Sequence, residues 1–225
     1  MNASSQKNKA FTLVELLVVL GVISILVVGS MKFTVNMMTG NENQQCYYKF
    51  AQMVKDAKAH AFRTNNYVAI CCEIAPHTKD DLDDKHCYLS VLSYNKSAKT
   101  FKTDDFGGAK YEQVPAGRAF LKINPNNSSS LLTGKLEDMS SFIVIFSPQG
   151  TLVTEIDGGQ VSWEQPQRKE MGLNPFVKTG FGTQYVSPYN YRKAEFLTGV
   201  QRKNFLQGEL ELIRVNLQTG VIYDR

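Results

Sequence analysis

Four cysteines and three histidines are the residues of this 225-residue chain best equipped for covalent or metal chemistry. Cys71, Cys72, His77, His86 and Cys87 fall within one short stretch, and thiolate with imidazole is the ligand set that zinc favours. No paired C-x-x-C spacing accompanies them, however, so no metal site is assigned. Cross-linking is the alternative chemistry, since four cysteines allow up to two disulfides outside the cytoplasm. Neighbouring residues of a strand point to opposite faces, which keeps Cys71 and Cys72 from pairing with each other. Cys72 and Cys87 share the core-facing parity of their two strands and flank the loop between them, so they are the preferred bridge. Cys46 meets Cys71 only if the strand twists, and otherwise these two remain thiols.

Two charged clusters invite other chemistry. Asp80, Asp81, Asp83 and Asp84 could gather calcium, but the loop lacks EF-hand spacing and its glycine, and a solvated loop is the simpler reading. Arg192, Lys193, Arg202 and Lys203 lie among Tyr189, Tyr191 and Phe205, the mixture a nucleic-acid groove uses for phosphates and bases. An exposed insertion loop is the simpler reading, and a formal net charge of +4 is too small to imply an anionic partner. For catalysis the inventory is thin: there is no G-x-S-x-G elbow, no glycine-rich phosphate loop and no cysteine in a recognisable nucleophile context. A non-enzymatic protein without cofactors is expected.

The elements that must hold these residues begin with an apolar run. Residues 11–28 read FTLVELLVVLGVISILVV, and the run extends to Met31, about the 20 residues that cross a hydrocarbon core as a helix. A polar leader, residues 1–10, carries Lys7 and Lys9 and no acid, so the positive-inside bias keeps it cytoplasmic and places the rest outside. Glu15 is the anomaly. A carboxylate at the centre of a membrane helix costs about 2.5–3.5 kcal/mol, which a plain signal peptide or anchor has no reason to bear. An acid kept there implies a cationic partner, and the amine created by a cut before Phe11 on a neighbouring subunit would serve.

The stretch Lys9-Ala10-Phe11-Thr12-Leu13-Val14-Glu15-Leu16-Leu17 resembles the class III signal of type IV prepilins and pseudopilins: a short basic leader, a cut before Phe, an acid at the fifth mature position and an uninterrupted apolar helix. That resemblance implies cleavage between Ala10 and Phe11 and N-methylation of Phe11 by a membrane-embedded prepilin peptidase. It also implies a contact between Glu15 and the Phe11 amine of another subunit during assembly on an inner-membrane platform. The family usually has Gly before the cut; here Ala10 keeps the residue small.

Beyond the membrane run, Gly29-Ser30 and Thr39-Gly40-Asn41 are weak helix formers that could kink or melt the helix. Cys46, Phe50, Met53, Ala57 and His60 or Ala61 then recur at helical spacing, predicting one face packed on a sheet. The period switches to two after Asn66. Residues 67–74 and 87–94 read as a long-looped hairpin, followed by strands at 142–146, 151–156, 209–217 and 221–223. Residues 124–130 and 158–188 read as surface loops.

The helix 57–66 running into a strand, the turn Phe146-Ser147-Pro148-Gln149-Gly150 and the closing hairpin at 212–222 resemble GspH/FimT-type minor pilins and pseudopilins, with residues 160–207 as a long insertion. The expectation is an α+β protein: leader 1–10, transmembrane and filament-core helix 11–31, and an extracytoplasmic head 32–225 in which helix packs on one antiparallel sheet. Its partners would be other pilin or pseudopilin subunits, in a type II secretion pseudopilus or type IV pilus. DNA or surface binding by such a pilin is the alternative function, because FimT-type pilins of competent bacteria take up DNA.

Overall fold

The computed structural model describes residues 13–78, 80–81, 83–103, 111–123, 135–167, 177–209, 211–216, 218–219 and 222–224, with backbone only at 15, 27–40, 111 and 223–224. The chain divides into two units, residues 1–41 and 42–225.

Helix α1 runs over Leu13–Thr64. It stays helical through Gly29-Ser30 and Thr39-Gly40-Asn41, where the sequence left room for a kink or local melting. Weak propensity at a few positions costs only about 1 kcal/mol per glycine, which a long helix can absorb. Asn65 takes a positive φ of 49°, a left-handed turn that Asn tolerates, and Asn66 donates its side-chain amide to the Tyr94 carbonyl at 2.7 Å.

The chain then enters β1 (Val68–Pro76) and returns along β2 (Lys85–Asn95), β3 (Thr100–Lys102) and β4 (Tyr111–Gln113). Next come β5 (Arg118–Lys122), α2 (Leu136–Met139), β6 (Phe142–Phe146), β7 (Leu152–Val153), β8 (Val161–Glu164) and β9 (Val177–Gly180). Strand β10 (Tyr185–Asn190) leads to α3 (Tyr191–Glu195), α4 (Gly199–Glu209), β11 (Ile213–Val215) and β12 (Ile222–Asp224).

Where one sheet was expected, the described residues form two. The larger is eight-stranded in the order β7-β6-β1-β2-β3-β8-β9, with β4 also on β2; the smaller is β12-β11-β10-β5. Pairing is antiparallel except between β3 and β8. The expected strand at 151–156 shrinks to β7 plus a bridge between Ile156 and Gly159. The one at 209–217 shortens to β11, because Glu209 closes α4.

Residues 158–188, read as loops, instead supply β8, β9 and β10. Glycine and proline misled the reading. Pro188 lies inside β10 opposite Phe120 of β5, past the two residues, Tyr185 and Val186, at which β11 pairs, so the strand has one paired neighbour there and a proline is tolerated. Gly182 fits where a side chain would not: a Cβ there would stand 3.0 Å from the Val153 carbonyl oxygen and 3.1 Å from Ile145. Its N–H donates to the Thr154 carbonyl, and that of Thr183 to the Ile143 carbonyl, both at 2.8 Å. The chain after β9 is thereby tied back to the opposite edge, and the larger sheet curls.

Strand β1 is buried along its whole length because each of its faces has a core. Val68, Ile70, Cys72 and Ile74 pack with Cys46, Phe50, Met53, Ala57 and Ala61 of α1. Ala69 and Cys71 pack inside the curl with Leu92, Phe101, Ile143, Ile145 and Trp163.

Candidate functional site

The N-terminal segment is described from Leu13. Between Leu13 and Leu26 every large apolar side chain described is about half exposed or more, from 49% at Ile23 to 78% at Leu13. The run has apolar residues on all sides of the helix, so no single sheet could cover it. Ser24 donates its hydroxyl to the Leu20 carbonyl at 2.8 Å, which satisfies that polar group within the helix and leaves the surroundings free to be apolar. Ala10 and Phe11 lie outside the described residues. Glu15 is described by its backbone, in the first turn of α1. Among the described residues no helix is long and apolar enough to cross a membrane; part of the expected span 11–31 falls outside them.

In the head, the hairpin register pairs Cys72 with Leu89 and Ile74 with Cys87. The two cysteines are therefore diagonal neighbours on the α1-facing side, with sulfurs 3.5 Å apart. Cys46 belongs to the same core and Cys71 to the other. All four are buried thiols. Burial, aided by Cys87 nearby, pushes the Cys46 thiol up to about 12, and burial raises Cys71 and Cys72 well above the ordinary thiol range. Such thiols are poor nucleophiles in the folded state.

His77 and His86 do not join them. Their rings lie side by side at a tilt of 52°, with centroids 4.9 Å apart. His77 Nδ1 bonds the Tyr88 hydroxyl at 3.1 Å, while His86 bonds Gln113 at 2.6 Å and Asp84 at 3.2 Å. Among the described residues no group of three or more His, Cys, Asp or Glu is placed to hold a metal ion. In the acidic loop, Asp81 accepts backbone N–H groups of Asp83 and Asp84 at 3.2 and 3.1 Å, so this carboxylate already shapes the turn.

The basic cluster occupies α3 and α4 rather than a loop. Arg192 Nη2 lies 3.6 Å from Asp84 Oδ1, and Lys193 Nζ lies 4.7 Å from the centroid of the Phe205 ring. Arg202 and Lys203 are half-buried on α4. The flanking tyrosines are not surface rings. Tyr189 is buried and shares a hydrogen bond with Ser140 at 2.8 Å, and Tyr191 is buried with its hydroxyl donating to Glu195 at 3.3 Å.

Sequence reasoning missed Arg118. Its side chain is 1% exposed, with Nε donating to Glu42 Oε2 at 3.0 Å and Nη1 to Glu209 Oε2 at 3.5 Å. Glu209 also accepts the Asn190 backbone N–H at 3.3 Å. One cation thus joins α1, β5, β10 and α4. No local pattern announces it, because the partners stand 76 and 91 residues away along the chain.

A family model for the prokaryotic N-terminal methylation motif matches residues 5–31. No curated protein matches the chain, and no solved structure does. The motif is that of type IV pilin-like proteins processed from prepilins, and it spans both Ala10-Phe11 and Glu15.

Proposed function

We propose that this chain is a non-enzymatic minor pilin or pseudopilin. A prepilin peptidase cuts it between Ala10 and Phe11 and methylates the new amine. The mature chain then joins a type II secretion pseudopilus or type IV pilus through its N-terminal helix. The observation that carries this reading is the coincidence of the methylation motif at residues 5–31 with a stretch of α1 whose apolar side chains stand exposed. An all-round apolar helix needs apolar surroundings on all sides, which a bilayer supplies before assembly and a bundle of like helices afterwards.

In that scheme the precursor is a single-pass inner-membrane protein with its N-terminus in the cytoplasm and its head in the periplasm. Glu15 meets the methylated Phe11 amine of a neighbouring subunit, a charge pair strengthened by the low dielectric of the helix bundle. A minor role suits the large head at 42–225, which would burden every repeat of a filament. The DNA-binding alternative is the weaker one: Tyr189 and Tyr191 are buried and Arg192 lies beside Asp84, which removes two stacking rings and offsets one cation.

Intact-mass and N-terminal peptide analysis of the protein from native membranes tests the proposal. The expected result is a chain beginning at a methylated Phe11; a start at Met1 or Ser30 overturns it. Replacing Glu15 with Gln should leave cleavage intact and abolish crosslinking to partner pilins, and undiminished crosslinking would remove the acid from assembly.

A further inference from the structure

Two buried thiols in the head are placed for a covalent reaction with each other. Cys72 and Cys87 lie on adjacent antiparallel strands, one diagonal step apart in register, with 3.5 Å between sulfurs. Strand twist brings one diagonal of such a pair together, and small side-chain rotations at both residues close the remaining gap to a bond of about 2.05 Å. The competition is limited. Cys71 lies in the opposite core, on the far side of the strand. Cys46 shares the core, but on a helix that must dock before it can approach.

We propose that Cys72 and Cys87 are joined by a disulfide that staples the first hairpin, formed before α1 covers it. A disulfide-bearing oxidant is required. The thiolate of one cysteine attacks an oxidant sulfur, giving a mixed disulfide and releasing one oxidant thiolate. The thiolate of the other then attacks the cysteine sulfur of that mixed disulfide, forming the Cys72–Cys87 bond and releasing the second. The two cysteines lose two electrons and two protons, and the oxidant's disulfide is reduced to two thiol groups. In the folded head neither sulfur is open to solvent, so the exchange belongs to the incompletely folded chain.

The full chain, reduced and unfolded in detergent, is refolded with oxidised and reduced glutathione. Remaining thiols are alkylated, and the protein is digested with trypsin without reduction. Peptide 64–79 should be linked to peptide 86–96, with Cys46 and Cys71 alkylated. Fragmentation assigns the bond to Cys72, and it should persist in Cys71→Ala and vanish in Cys72→Ala. Wild type refolded in reductant alone should melt roughly 5–10 °C below wild type refolded with the glutathione pair, the loss expected for a loop of this length in a chain of this size, while Cys72→Ala should melt alike after either refolding. Alkylated Cys87 in the unreduced wild type, a bond from Cys87 to Cys46 or Cys71, or equal wild-type midpoints after the two refoldings overturns the proposal.

Discussion

Leu20 and Phe50 lie on the same helix and meet opposite surroundings. Leu20 is 55% exposed and Phe50 is fully buried, its ring 5.3 Å from that of Phe120. Hydrophobicity does not separate them; the pattern around each does. Near Phe50 the apolar residues form a stripe that one sheet can cover, with Lys49, Gln52 and Lys55 on other sides. Near Leu20 there is no polar side to leave in water. The head half of α1 is therefore covered by its own chain, and the first half has no such cover among the described residues.

The sharpest way to break that comparison is to truncate both side chains. Phe50→Ala should cost the head about 3–5 kcal/mol by removing a buried ring, seen as a lower urea midpoint. Leu20→Ala should leave that midpoint alone and weaken partner crosslinking. A smaller effect is expected where the head half begins. Arg118→Met removes the cation that faces Glu42 and Glu209, whose carboxylates are 40% and 25% exposed and can rehydrate in part. We expect a loss of about 2 kcal/mol, and adding Glu42→Gln should cost little more, since the two changes delete one interaction.

At the other end of α1, Phe62 leans over Gly150, whose φ is +74° and whose added Cβ would meet the ring at 2.7 Å. Gly150→Ala should cost about 1–2 kcal/mol from the left-handed backbone plus displacement of the ring. Gly158→Ala, at φ +72° with open space around it, isolates the backbone part, so a smaller loss there separates the two causes. The smallest effect is alkaline. The Cys46 thiol titrates near 9 when unfolded and at about 12 when folded, so the unfolded state loses its proton first and stability falls as pH rises from 9 towards 12. At pH 9.5 that is just under about 1 kcal/mol, and urea titrations of wild type and Cys46→Ala should diverge by that amount.

Local periodicity made part of this fold legible. The helical spacing of Cys46, Phe50, Met53, Ala57 and Ala61 and the alternation of Val68, Ile70, Cys72 and Ile74 each name a face, and those faces meet in one core. The second sheet was not legible, because β10 contains Pro188 and β5 is a short run without strict alternation. Their pairing, Pro188 opposite Phe120, is a long-range fact that no window of sequence contains. Arg118 was hidden for the same reason. The N-terminal segment was the most legible of all: a charge placed within an apolar run, behind a basic leader, is a local signature that needs no tertiary partner to be read.

The ties of Arg118 to Glu42 and Glu209 also set an order of events during synthesis. The cation emerges from the ribosome long after one of its carboxylates and long before the other, and Lys58 on α1 likewise awaits the Thr219 carbonyl, 161 residues on, which it reaches at 2.6 Å. Contacts so distant must close large loops, which slows folding and leaves surfaces open meanwhile. A nascent head thus stays receptive until Glu209 and Thr219 are free, and a chain terminated before Glu209 would leave Arg118 Nη1 and the Asn190 N–H without their shared acceptor. Quality control acting on incomplete chains would have that defect to detect.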